Sequence, residues 1–274
     1  MPDNLPTVNL AEIEERMLQL PQAPCPVSHH FGPGLYIREM RVEAGVLALG
    51  HSQRFHHMNV FIAGKVLILN PDGTKTILEA PMTFVGPPGR KVGYVLEDMI
   101  WQNVYATEER DVEKLEEMFL DKTEYSKDHY RKEAEVDYSA DREDYYLLLE
   151  EFAIPAEQVA LEVQNREDRI EMPYGWHKSC VRTSPLHGKG LFASAPFATG
   201  EVIAPARIGD KRTPAGRYTN HSCKPNAGVF PVGEDVVLIA LRDITGCVAG
   251  GNGEEITIDY REALRLRGFE QKGV

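Results

Sequence analysis

Two stretches of this chain carry short apolar runs punctuated by Gly, Pro, Asn and Asp, while the stretch between them spaces its apolar residues helically. That change of period constrains the fold most, because period two lines one face of a strand whereas 3.6 lines one stripe of a helix. In the first stretch the runs 35–42, 58–62, 65–69, 74–78, 93–96 and 100–105 read as strands, with Asn70-Pro-Asp-Gly73 and Gly86-Pro-Pro-Gly89 as turns. Many short strands with regular turns predict an antiparallel sandwich or barrel. In the middle, helices are predicted over 108–120 (Val112, Leu115, Met118, Phe119), over 141–152 (Tyr145, Leu148, Leu149, Phe152) and from Pro155 to near Asn165. The polar stretch 121–140 reads as a loop, as does the segment around His29-His30. Strands return from Cys180 onward, at 181–182, 202–203, 236–241 and 255–260. The expected class is α+β and mainly β, with a β-barrel domain over 1–107, a helical connector over 108–172 and a second β-rich domain over 173–274.

Charge follows the same partition. The whole chain has 30 basic and 42 acidic side chains, net −12, distributed as −2 over 1–107, −13 over 108–172 and +3 over 173–274. An acidic connector is expected to be a solvated set of helix faces or an attractor for a basic partner. The overall acidity argues against nucleic acid as the main partner. No run approaches the roughly 18 consecutive apolar residues of a membrane helix, and no secretion signal is recognisable at Met1. The four cysteines, Cys25, Cys180, Cys223 and Cys247, form no CxxC pair, so neither a disulfide framework nor a four-cysteine zinc site is expected. A reducing, cytoplasmic compartment follows as an expectation, with Cys223 as a small buried residue.

Three motifs carry the functional reading. His187-Gly-Lys-Gly-Leu-Phe-Ala193 has two glycines one residue apart, which let backbone approach a ligand. Arg217-Tyr-Thr-Asn-His-Ser-Cys-Lys-Pro-Asn226 packs many donors and acceptors into ten residues, a density costly to bury unless satisfied. Gly253-Glu-Glu-Ile-Thr-Ile-Asp-Tyr260 is a strand ending in an acid and a tyrosine. In this order they resemble the SET domain of protein-lysine methyltransferases, with its GxG, RFINHxCxPN and E-[LI]-x-x-D-Y segments. The resemblance covers about residues 178–262. It implies small twisted sheets with a threaded C-terminal segment, an exception to the unthreaded rule. It also implies S-adenosylmethionine as cofactor, with Lys189, Gly190 and Leu191 along it, Arg217, Asn220 and His221 holding it, and Tyr260 and Tyr218 at the catalytic centre. The implied substrate is a protein with an accessible lysine. The chain departs from the family in leaving only 16 residues between Gly200 and Arg217, where a longer insert usually forms one wall of the lysine channel. The helices of 108–172 are the candidate replacement, their acids suiting a basic substrate.

The first β-rich stretch resembles a cupin, whose first motif reads G-x5-H-x-H-x3–4-E-x6-G. Gly45, His51, Gln53, His57 and Gly64 keep that spacing, with Gln53 for a histidine and His57 for the glutamate. In the second motif Pro87 and Gly89 are kept, but Val92 replaces the histidine. His51, Gln53 and His57 are therefore weak metal candidates, and no metal is expected. The barrel is expected to serve self-association or substrate docking. A cupin ahead of a compact SET domain looks like proteins of tailed phages and bacteria. The leading expectation is methyl transfer to a protein lysine. The alternatives are a non-catalytic interaction protein keeping the SET fold, and a metal-dependent cupin enzyme.

Overall fold

A computed structural model describes residues 9–70, 72–123, 137–173, 175–247 and 253–270. The chain divides into two compact units, Met1–His129 with Cys247–Gly251, and Tyr130–Gly246 with Asn252–Val274.

Unit 1 opens with helix α1 (Leu10–Met17), whose N-terminus is capped by the Asn9 side chain accepting from the Glu12 N–H. Nine strands follow: β1 (Val27–Gly32), β2 (Leu35–Val42), β3 (Leu47–Leu49), β4 (Ser52–Gln53), β5 (His57–Leu69), β6 (Lys75–Glu79), β7 (Met82–Gly86), β8 (Val92–Ala106) and β9 (Leu120–Asp121). Helix α2 (Val112–Phe119) precedes β9 and is capped by Asp111. The segment around His29-His30, expected as a loop, is strand β1, which pairs with β2 from Val27↔Met40 to Gly32↔Leu35. Strand β1 has no strong apolar period of its own and is fixed by its pairing with β2.

The runs at 58–62 and 65–69 are one strand, β5, and those at 93–96 and 100–105 are one strand, β8. The two pair antiparallel over most of their length, with bulges between Phe61 and Val66. Gly64 sits in these bulges with φ +94°, and an added Cβ would lie 2.3 Å from the Asp98 carbonyl oxygen. One end of each long strand serves one set of neighbours and the other end a second set: β5 pairs β7 through 57–61 and β6 through 65–69, while β8 pairs β3 through 92–94 and β2 through 99–106. The pairing path runs β1-β2-β8-β5-β6 and does not close on itself. The expected barrel is thus a curled, open antiparallel sheet around a core of Val42, Phe61, Val66, Val95, Met99 and Trp101.

Unit 2 carries helices α3 (Ser139–Glu151) and α4 (Ala156–Gln164), the latter entered through Pro155. Of the acidic stretch 108–172, α2 lies in the first unit and α3 with α4 in the second. Most of the loop expected over 121–140 lies outside the described residues. The remaining strands are β10 (Ser179–Thr183), β11 (Lys189–Ala193), β12 (Val202–Ile208), β13 (Lys211–Arg212), β14 (Asn220–His221), β15 (Ala227–Val232), β16 (Asp235–Ala240) and β17 (Glu255–Ile258). Short helices α5 (Pro214–Tyr218) and α6 (Tyr260–Leu266) flank β14 and follow β17. Two four-stranded sheets result, β10-β11-β17-β14 and β13-β12-β16-β15. Leu191, Phe197, Ile203, Leu238, Ile244 and Ile256 fill the core of this unit. The class is α+β with β predominant. Among the described residues no helix is long and apolar enough to cross a membrane.

Gly64→Ala places a side chain both in a left-handed conformation and against backbone, so it is expected to destabilise unit 1 by about 2 kcal/mol or more. A urea midpoint unchanged from the parent would show that the bulge yields freely.

Candidate functional site

The last strand of unit 2 lies between β11 and β14. Its parallel pairing with β14, Asn220↔Thr257 and His221↔Ile258, is only two residues long. Asn226 extends it: its Nδ2 donates to the Glu255 carbonyl (2.8 Å) and its Oδ1 accepts from the Thr257 N–H (2.9 Å). A side-chain amide thereby satisfies two backbone groups that a longer strand would have paired. The Ser222 N–H to Ile258 carbonyl bond, 3.0 Å, closes the crossing. These contacts fix the C-terminal segment against the motif 217–226.

A polar cluster forms around Asn220. Its Nδ2 lies 2.7 Å from Glu255 Oε1, 3.1 Å from Ser184 Oγ, 3.2 Å from the Lys189 carbonyl and 3.3 Å from the His187 carbonyl. Two amide hydrogens are shared among four oxygens, so acceptor capacity exceeds what Asn220 supplies. Ser184 Oγ donates to the Glu255 carboxylate at 2.8 Å. Burial pushes the Glu255 carboxyl above its usual pKa, against the opposing pull of the Asn220 and Ser184 donors. Gly190 belongs to this cluster for a steric reason, since an added Cβ would lie 2.2 Å from Glu255 Oε1. An acceptor-rich edge of carbonyls and a carboxyl suits a cationic group that carries N–H donors.

Beside it stands an aromatic group. The Tyr260 ring is 5.4 Å from the His221 ring and 6.2 Å, edge-on, from Tyr145 of α3. The Tyr260 hydroxyl donates to the Thr219 carbonyl at 2.9 Å. Burial, followed by Tyr145 and Glu255, raises its pKa, so the phenol stays neutral at physiological pH. The Tyr260 N–H donates to His221 Nδ1 at 3.2 Å, which assigns the proton to Nε2, and Nε2 donates to Asp144 Oδ2 at 3.0 Å. The tyrosine expected at the end of a strand is the first residue of α6, with Asp259 as its cap.

Helix α3 reaches this site through its acids. Asp141 accepts from the Ser222 hydroxyl (2.7 Å) and the Cys223 N–H (2.9 Å), and Asp144 accepts from His221 and Arg261. Glu151 accepts from Arg261 at 2.7 Å. Three acids of the stretch expected to attract a basic substrate are therefore committed to the protein's own site. Cys223, expected to be buried, is exposed and lies beside Asp141.

The structure brings Lys189, Gly190, Asn220, His221 and Tyr260 together. It places the other sequence candidates apart from that cluster: Leu191 is in the core, and the Arg217 guanidinium donates to the Asn165 and Val163 carbonyls near the end of α4. Tyr218, half-buried, ends α5. Glu255, Ser184, Tyr145 and Asp144 went unnoticed in the sequence. Only Glu255 carried a signal, as the acid opening the third motif.

In unit 1, His51, Gln53 and His57 all line one pocket. Gln53 Oε1 is occupied by the Tyr105 hydroxyl at 2.8 Å, and Val92, at the lost histidine position, is buried in the core. Two imidazoles remain, and the buried Arg38 guanidinium faces the same pocket. That donor set does not suit a divalent metal.

Residues 206–261 match the family model of the SET domain. No curated relative matches the chain. Among solved structures, a cupin domain from Bordetella pertussis is 12% identical with a TM-score of 0.27, covering 32% of this chain and 98% of its own. A cupin-2 domain protein from Shewanella frigidimarina is 13% identical with a TM-score of 0.25, covering 36% and 94%. The EutQ protein of Clostridium difficile is 18% identical with a TM-score of 0.25, covering 30% and 68%.

The Arg261 guanidinium, helped by His221, holds the Asp144 carboxyl below its ordinary pKa. A carboxylate depressed in the folded state contributes stability above its unfolded pKa of about 3.9 and loses it as pH falls toward the folded value. Unit 2 is expected to weaken on acidification below about pH 5, and Asp144→Asn to lower stability at pH 7 while flattening that acid slope. Parallel pH slopes in urea denaturation for the two proteins would remove Asp144 from this role.

Proposed function

We propose that unit 2 is a protein-lysine methyltransferase using S-adenosylmethionine. The observation that carries this reading is the meeting of an acceptor-rich cluster around Asn220 with the neutral phenol of Tyr260, held in place by His221. The match to the SET domain over 206–261 supports the same class of chemistry.

When bound, S-adenosylmethionine supplies a methyl group on a positively charged sulfur. The residues of this chain have then to hold that donor and align a neutral amine. The His187 and Lys189 carbonyls and the Glu255 carboxyl would accept from its ammonium. The Tyr260 oxygen, already donating to Thr219, retains lone pairs with which to accept an N–H from the incoming lysine. A free lysine amine has a pKa of about 10.4, and the apolar faces of Tyr145 and Tyr260 favour its unprotonated form. The bound donor would supply its methyl group to that nitrogen, its sulfur keeping the bonding pair, and the methylated amine would release its extra proton to solvent. Such a displacement needs alignment and fixed dipoles more than a strong base. Tyr145 takes the place in the wall that the shortened insert vacates. The substrate is a protein with an exposed lysine, and unit 1 is proposed to serve self-association or docking.

The second reading, a non-catalytic scaffold, is favoured by one observation: the Glu255 side chain fills the space above Gly190 that close backbone approach to a ligand would use. Calorimetry with S-adenosylmethionine separates the two. The enzyme reading expects binding, with Asn220→Ala weakening it about tenfold or more. It also expects Tyr260→Phe to keep that binding while transfer of labelled methyl to protein falls by about a hundredfold. Folded protein that binds no cofactor would leave the scaffold, and undiminished transfer by Tyr260→Phe would relocate the catalytic centre.

A further inference from the structure

The inner face of the sheet in unit 1 has rows set by strand register. Arg38, Asn103 and Asn59 form one row across β2, β8 and β5, and Met40, Trp101 and Phe61 form the next. The amides are satisfied among themselves: Asn59 Oδ1 accepts from Trp101 Nε1 at 2.9 Å and from Asn103 Nδ2 at 2.8 Å. Arg38 is different. It is 7% exposed, its Nε has no hydrogen-bond partner, and no carboxylate lies within ion-pairing distance of it among the described residues. Glu116, which acts on it through space, is itself paired with Lys122 at 2.7 Å. A buried guanidinium without a partner is costly, and proteins retain one where an anion completes it.

That guanidinium lines a pocket of about 140 Å³. Next to it, His57 donates from Nδ1 to the Phe55 carbonyl at 3.1 Å, leaving Nε2 buried without a partner. His51 is driven down to about 4 by burial and by Arg38, so it adds no positive charge at neutral pH. Lys91 and Gln53 also line the pocket, and Met40, Val42, Ile68, Met99 and Trp101 give it an apolar wall. A buried guanidinium at a polar row, with Lys91 in the same lining and an apolar wall beside them, is the mould of a small organic anion.

We propose that this pocket binds a monocarboxylate with a compact apolar body. The carboxylate pairs with Arg38, in the planar two-point geometry that guanidinium favours, and the body lies against Met99 and Trp101. An apolar cavity of about 150 Å³ accommodates benzene, so a body about the size of one ring fits. The same charge that repels a divalent cation attracts this ligand, so the pocket has the opposite preference to a metal site. This assignment does not depend on methyl transfer in unit 2.

The test uses the full chain with benzoate as probe, against benzyl alcohol and inorganic phosphate, by calorimetry and by NMR of the two tryptophan indoles. Benzoate is expected to bind in the presence of EDTA, to shift the Trp101 indole signal and to leave that of Trp176 unmoved. Benzyl alcohol and phosphate, each lacking one half of the recognition, are expected to bind at least about tenfold more weakly. Arg38→Met should reduce benzoate affinity about ten- to a hundredfold while keeping the fold. Equal affinity for benzoate and benzyl alcohol overturns the proposal. So does a phosphate affinity equal to that of benzoate, a benzoate response abolished by EDTA, an unmoved Trp101 signal, or undiminished binding by Arg38→Met. The indole readout on the parent protein decides the matter even if the variant fails to fold.

Discussion

The candidate site depends on a pairing of two residues with two residues. Strand β17 reaches β14 only through Asn220↔Thr257 and His221↔Ile258, and so short a parallel ladder is not stable alone. The Asn226 amide makes it hold, by taking the Glu255 carbonyl and the Thr257 N–H into its own hydrogen bonds. Everything functional follows from that clamp. Glu255 is delivered to Asn220 at one end of β17, and Tyr260 to His221 at the other. Buried polar groups in such a cluster cost much unless each is satisfied, so the site is either formed as a whole or lost as a whole.

Helix α3 is the second support. Its acids give the region a strongly negative sequence, yet Asp141, Asp144 and Glu151 turn inward to Ser222, Cys223, His221 and Arg261. The arrangement makes the net charge of a stretch a poor guide to its surface potential, because acids that cap and orient a site do not act on a partner. It also brings Tyr145 edge-on to Tyr260.

Much of the class and the motifs could be read from residue order, and what could not has physical reasons. The runs in β5 and β8 were visible, but their continuity was not, because Ala63-Gly64 in β5 and Glu97-Asp98 in β8 read as breaks whereas the bulges keep the ladder running through them. β1 was read as a loop since a strand between prolines and a Pro-Gly turn is defined by its partner β2, not by its own pattern. In the site, Asn220, His221 and Tyr260 were legible through resemblance. Tyr145 and Asp144 were not, because their roles arise from the packing of α3 on a motif 77 residues away in the case of Asp144 and His221. Arg38 was equally silent: on a strand of alternating residues nothing distinguishes an inward arginine from an outward one until the register is known.

The two units thus present contrasting electrostatic settings, one rich in hydrogen-bond acceptors and one with a buried guanidinium. The most direct measurement of the central claim is the NMR response of unit 2 in the full chain as S-adenosylmethionine is added. The account predicts that the Asn220 side-chain amide and the Lys189, Gly190 and Tyr260 backbone amides shift together, with one saturation curve. Saturable binding that leaves these four signals in place and moves others would contradict it.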